Sequence, residues 1–82
     1  MMSNFEKVML NDKLNIYSKG IYSLMQAFSE NDKLVLSVAD ICRYLGISKR
    51  TFYKYRQPLE KQGFLRVKYE NSATHHGNIY YL

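Results

Sequence analysis

Eighty-two residues, 46% hydrophobic and 23% charged, fit one globular domain and are too apolar for a disordered tail. Four Gly and one Pro exclude collagen-like and linker compositions, and one Cys excludes an internal disulfide and a zinc-finger framework; a reducing, cytoplasmic compartment is the default expectation. The net charge of +5 is concentrated: residues 43–68 hold eight Lys and Arg against the single acid Glu60, while the remainder holds four basic and six acidic residues, a distribution that suits either a polyanion-binding face or a merely solvated surface.

From the N-terminus, Phe5 to Leu10 is apolar-rich and reads as a short strand, with a turn at Asn11 to Lys13. Glu6 and Lys7 interrupt this end before a signal-peptide core can form. The first helix is expected over about 16–28. Asn15 is its N-cap, and Tyr17, Ile21, Leu24, Met25 and Phe28 recur as one buried stripe. Gly20 costs this helix about 1 kcal/mol relative to Ala and offers room for another element to approach. Residues 29–33 are a polar stop. Leu34-Val35-Leu36 is a candidate small strand. Ser37 then caps a second helix of about 38–45, with Asp40 in its first turn where an acid suits the helix dipole. Val38, Ile41, Cys42 and Leu45 form its apolar face, and Gly46 ends it in a conformation that tolerates positive φ.

Ser48 is the N-cap of a third helix of about 49–62. With Phe52 at 0° and 100° per residue, Tyr55 and Leu59 fall at roughly 300° and 340° and share the core side. Arg50, Tyr53, Lys54, Gln57 and Lys61 fall between roughly 100° and 200° on the opposite side, and Lys49 flanks them in the first turn. Pro58 lacks an N–H and crowds the carbonyl of Lys54, so a kink or an early end near Gln57 is expected. Leu65, Val67 and Tyr69 alternate with Arg66 and Lys68, the period of a half-buried strand. A polar turn over 71–78 and a strand-favouring run, Ile79 to Leu82, complete a hairpin. That run is the longest apolar stretch and is far short of the about 20 residues of a membrane span, so no membrane partner is expected.

The central segment SVADICRYLGISKRTFYKY (residues 37–55) resembles a helix-turn-helix, in which two helices cross steeply and the second is presented to DNA. Cys42 supplies the small residue where the helices touch, Gly46 makes the turn, and Ile41, Leu45, Ile47, Phe52 and Tyr55 pin both helices. With the hairpin, the pattern looks like a winged helix-turn-helix: an α+β fold of three helices with a C-terminal two-stranded β-hairpin wing and a short strand between helices 1 and 2. It is expected as a single domain over 1–82, with helix 1 about 16–28, helix 2 about 38–45, the recognition helix about 49–62 and the wing about 64–82. Lys19-Gly20-Ile21-Tyr22, Ile47-Ser48-Lys49-Arg50-Thr51 and Leu59-Glu60-Lys61-Gln62-Gly63-Phe64 are similar to the N-terminal domain of phage replisome organisers and to plasmid replication initiators of Gram-positive bacteria. That resemblance implies a domain that binds double-stranded DNA.

On the winged-helix reading, the N-terminal turns of the third helix enter the major groove, where base edges carry a distinguishable code. Arg50 is the candidate for a bidentate guanine contact, because its planar fork matches the O6 and N7 pair. Lys54 and Gln57 share its face, and Tyr53 offers a hydroxyl to phosphate or a ring to sugar. Ser48 and the helix-start N–H groups suit a phosphate, with Lys49 and Thr51 beside them. Arg66 and Lys68 follow the backbone from the hairpin, and Asn71, His75 and His76 at its tip reach the minor groove. Adjacent histidines without a third ligand are weak evidence for a metal, so no metal or cofactor is expected, and Cys42 is read as packing.

The function expected from these residues is sequence-specific binding of double-stranded DNA, in transcription regulation or replication initiation of a phage, plasmid or other mobile element. The alternative is a protein-interaction module on the same fold, with Phe5, Met9, Tyr17, Tyr80 and Tyr81 as exposed apolar or aromatic surface; failure to bind random duplex at low salt would favour it. No Gly-rich phosphate loop, framed carboxylate pair or nucleophile motif is present, so neither an enzyme nor a small-molecule substrate is expected. A homodimer, or a larger replication or regulatory complex, stays open at this stage.

Overall fold

The computed structural model describes residues 1–69 and 78–82. Its elements in chain order are α1 (Asn4–Met9), α2 (Ile16–Phe28), β1 (Lys33–Leu36), α3 (Val38–Leu45), α4 (Lys49–Lys61), β2 (Arg66–Tyr69) and β3 (Asn78–Tyr81). Helices and a small antiparallel sheet together make an α+β fold consistent with a winged helix.

The first element corrects the reading of Phe5 to Leu10 as a strand: this segment is helical. The cause is local. The Ser3 hydroxyl accepts from the Glu6 N–H at 3.2 Å while the Glu6 carboxylate accepts from the Ser3 N–H at 3.3 Å, a reciprocal capping box that satisfies two otherwise orphaned donors. Val8 is the residue this short helix buries completely.

Asn15 caps α2 by accepting from the N–H groups of Tyr17 and Ser18. The buried face of α2 is Ser18, Ile21, Tyr22 and Met25, which is rotated from the expected stripe. Tyr17 is 48% exposed and Phe28 53% exposed. Both sit at helix ends, where a ring gains more from stacking on a neighbouring helix than the narrow core can offer: Tyr17 stacks on Tyr55 and Phe28 on Tyr44. Beside Gly20 the space is open, since a Cβ built there meets nothing within 4 Å; the close approach expected at this position does not occur.

Asn31 and Asp32 both take positive φ, and Glu30 and Lys33 exchange backbone hydrogen bonds of 2.9 and 3.0 Å across them. This is the two-residue turn geometry in which Asn and Asp are favoured, and it turns the chain directly into β1. The sheet order is β1-β3-β2, all antiparallel. Leu34, Tyr80 and Val67 lie in one register row facing the helices, and Lys33, Tyr81 and Arg66 in the next row facing outward. The strand between α2 and α3 is therefore an edge of the same sheet that carries the hairpin. The core joins Ile21, Met25, Ile41, Phe52, Leu59 and Tyr80, so every layer meets around α2. Tyr80 is completely buried, which corrects its assignment to an exposed aromatic surface.

Candidate nucleic-acid interface

The interface begins with a turn. Gly46 takes φ 68° and ψ 35°, left-handed values that cost any other L-residue about 1–2 kcal/mol. The Ile47 N–H then reaches back to the Cys42 carbonyl at 3.0 Å, closing α3 with the six-residue bond of a Schellman motif. Ser48 immediately opens α4: its hydroxyl accepts from the Thr51 N–H at 3.1 Å and donates to the Thr51 hydroxyl at 3.0 Å. Three residues thus separate two helices, and Ile41, Cys42 and Phe52 bury the angle between them. The Cys42 thiol is pushed up from its ordinary pKa by burial, with Lys49 pulling it back, as befits a packed thiol.

Two contacts fix α4 to α2. The Ser18 hydroxyl, 1% exposed, donates to the Tyr55 carbonyl at 2.7 Å. One side of the Tyr55 ring stacks on Tyr17 at 5.0 Å between centroids, and the Lys54 ammonium lies 5.3 Å from the Tyr55 ring centre. Pro58 does not end the helix, which continues to Lys61. The ring removes the N–H that would have served the Lys54 carbonyl, and the neighbouring Tyr55 carbonyl is the one that Ser18 supplies.

Against this inner side, the outward side of α4 presents Lys49, Arg50, Tyr53, Lys54, Gln57 and Lys61, all exposed, with Thr51 half-buried at the edge. The ion pairs among the described residues are Arg43–Asp40 and Arg56–Glu60, each 3.2 Å. Glu60 is the lone acid of residues 43–68, and its carboxylate is turned onto Arg56. Among the described residues, the exposed cations of α4 therefore face solvent with no carboxylate paired to them. At the foot of α4, Tyr17, Gly46, Ile47, Ser48, Thr51 and Tyr55 line a shallow hollow of about 340 Å³, beside helix-start N–H groups that lack intrahelical acceptors.

In the hairpin, Arg66 and Lys68 are both exposed and point to the outer face of the sheet. The Arg66 guanidinium lies 4.8 Å from the Tyr81 ring centre, its register partner, which stiffens an otherwise mobile side chain. Asn71, His75 and His76 lie outside the described residues. Of the remaining candidates, Ser48, Lys49, Arg50, Thr51, Tyr53, Lys54 and Gln57 are brought together on α4, and Arg66 and Lys68 stand apart on the wing.

Arg56 was missed as anything other than one more cation of the basic block. It is 6% exposed, its Nε donates to Glu60, and its guanidinium lies 5.5 Å from the Phe52 ring and 5.2 Å from the Tyr53 ring. A signal was available: at 100° per residue Arg56 falls about 40° from Phe52, on the core side, with an acid four residues on.

Fold and surface together define a small helix-turn-helix with a cationic second helix. Residues 12–65 match the family model described as a helix-turn-helix domain, more than half of the chain. The chain belongs to the helix-turn-helix domain family, and that membership suggests a DNA partner. No curated protein and no solved structure matches it significantly. Among the described residues, no helix is long and apolar enough to cross a membrane.

Proposed function

We propose that this chain is a winged-helix module that binds double-stranded DNA sequence-specifically, with α4 in the major groove and the β2–β3 hairpin as a wing along the flanking backbone. The observation that carries the reading is the outward face of α4, where Lys49, Arg50, Lys54 and Lys61 stand exposed while Glu60, the one acid of this helix, is committed to Arg56. A helix fits the major groove, and cations unspent on internal pairs are free to displace counterions from phosphate. Arg50 and Gln57 are assigned to base edges. Lys49, Lys54, Tyr53, Arg66 and Lys68 are assigned to the backbone. Ser48 and Thr51 shape the hollow that receives a phosphate at the helix start. Asn71, His75 and His76 keep their assignment to the minor groove. The setting is transcription regulation or replication initiation on a phage, plasmid or other mobile element, in keeping with the resemblance of residues 19–22, 47–51 and 59–64 to replisome organisers and plasmid initiators.

Selection from a random duplex pool, followed by affinity measured against salt, tests this. Binding should weaken with a log–log slope of about −0.9 per phosphate neutralised. Arg50→Ala should cost about 1–3 kcal/mol on the selected site and relax preference at one position. Unchanged affinity and preference in that variant would remove Arg50 from the base-reading face.

A second reading, docking of another protein, is favoured by one observation. Met9, Ile16, Lys19, Gly20 and Ser23 line an open, mostly apolar groove of about 440 Å³ on the far side of α2. A stable protein complex together with no duplex binding at low salt would select it.

A further inference from the structure

The outer face of the sheet gathers cations from both edge strands. Side chains alternate across a strand, so the row Leu34, Tyr80 and Val67 faces the helices, while the rows on either side of it face away. Those outward rows are Lys33–Tyr81–Arg66 and Val35–Ile79–Lys68. Lys33, Val35, Arg66 and Lys68 are exposed. Neighbouring strands lie about 4.8 Å apart and residues two apart on one strand about 6.7 Å; the backbone positions of the three cations therefore fall within about 12 Å of one another. No ion pair among the described residues involves any of them. Glu30 and Asp32, in the turn before Lys33, do not pair with it, and the Asp32 carboxylate accepts from the Gln26 amide at 3.4 Å. The Arg66 guanidinium lies 4.8 Å from the Tyr81 ring centre, which holds it toward the central strand. Lys33 lies in the polar stop after α2, outside the basic block of residues 43–68, and only strand pairing brings it to the face that Arg66 and Lys68 share.

We propose that the outward face of the whole three-stranded sheet, rather than the hairpin alone, follows the DNA backbone, with Lys33 as a phosphate contact supplied by β1. This deepens the DNA-binding reading above and rests on it. Charge sets the occupant: three exposed cations with no carboxylate paired to them complement a polyanion. Their spread sets its kind. Each strand of a duplex carries one charge per about 3.4 Å of helix axis, so cations distributed over about 12 Å meet successive phosphates of a strand and not one small anion. The rest of the face has little with which to read a base edge, since Val35 and Ile79 are aliphatic and Arg66 is held over Tyr81. The face therefore contributes affinity and leaves sequence preference to α4.

The test uses the full chain, a duplex site selected from a random pool, and random duplex as the comparison. Lys33→Gln, Lys33→Arg and Lys7→Gln are compared with the parent after thermal unfolding shows each to be folded. A phosphate contact that contributes nothing at 1 M salt gains about 0.9 decades of affinity per decade of dilution. Lys33→Gln should therefore bind both duplexes about eightfold more weakly at 0.1 M salt and about fourfold more weakly at 0.2 M, with a log–log slope shallower by about 0.9. Lys33→Arg should keep the parent's affinity and slope. Lys7→Gln, which removes an exposed cation on α1 away from the sheet, should change neither. Unchanged affinity and slope in Lys33→Gln would overturn the proposal and leave Lys33 as a guard on an open sheet edge, with DNA binding intact. A loss confined to the selected duplex, or an equal loss in Lys7→Gln, would overturn it as well, the first because Lys33 would be reading bases and the second because only net charge would count. Absence of duplex binding by the parent chain at low salt would instead overturn the DNA-binding reading, and the sheet contact with it.

Discussion

Replacing Ser18 with alanine isolates the contact that carries α4 on α2. The Ser18 hydroxyl is 1% exposed and donates to the Tyr55 carbonyl at 2.7 Å across 37 residues of sequence. Its loss removes a hydrogen bond with a net value of about 0.5–1.5 kcal/mol, while the Tyr55 carbonyl stays within the α4 ladder. Alanine returns roughly 0.5 kcal/mol through its better helix propensity. The expected balance is a loss of up to about 1 kcal/mol, at about 4–8 °C in Tm per kcal/mol for a domain of this size. Ser23 is the built-in control. It lies in the same helix and donates to the Lys19 carbonyl at the same 2.7 Å, a bond within one turn; its reach to another element is the weakly accepting Met9 sulfur at 3.6 Å. Ser23→Ala should change stability by less than about 0.5 kcal/mol, since local back-bonding of this kind adds little. Urea and thermal unfolding followed by far-UV circular dichroism would measure both. Equal losses for the two variants, or a smaller loss at Ser18, would refute the reasoning, because Ser18 is the buried one of the two and its hydroxyl serves a carbonyl of another helix.

Other outcomes follow from the same packing. Phe52→Ala empties the fully buried hinge between α3 and α4 and should cost about 3–5 kcal/mol, a large share of the about 5–15 kcal/mol that holds a typical domain; urea midpoints would show it. Gly46→Ala meets no atom within 4 Å but must keep φ 68°, so it should cost about 1–2 kcal/mol through backbone strain alone, with the helix content of the folded state unchanged. Burial raises the pKa of the Tyr22 and Tyr80 phenols above their ordinary 10.0 and of the Cys42 thiol above its ordinary 9.0. Each stays protonated in the folded chain at pH values where the unfolded chain has begun to ionise. Their contribution is full below pH 9 and is lost as pH climbs through 9 to 10 and beyond. Urea midpoints that rise over that window would contradict the assignment.

Much of the helix-turn-helix was legible because its signals are local. Asn15, Ser37 and Ser48 each cap a helix by accepting from an N–H two or three residues on, and the left-handed Gly46 closes α3 by bonds that stay within five residues. The outward side of α4 followed from helical periodicity, which sorts Arg50, Lys54 and Gln57 from Phe52 and Leu59 without knowledge of the neighbours. The strand reading of Phe5 to Leu10 failed on a signal of the same local kind: the Ser3 and Glu6 capping box outweighs the strand-like composition that follows it. Arg56 failed for a different reason. Counting charge treats every arginine as solvated, whereas this one lies on the core side of the helix with Glu60 within reach.

What the chain alone determined were the helix ends, the three-residue turn and the cationic face of α4, because each depends on side chains and backbone groups within about one helical turn of one another. Tertiary structure decided the rest. It rotated the buried face of α2 onto Ser18 and Tyr22, stacked Phe28 on Tyr44, joined β1 to the hairpin, and buried Arg56 beside the Phe52 ring. Those choices lie between elements far apart in sequence. They are settled by which surfaces can be brought together without leaving a buried polar group unserved, and no short window of residues holds that information.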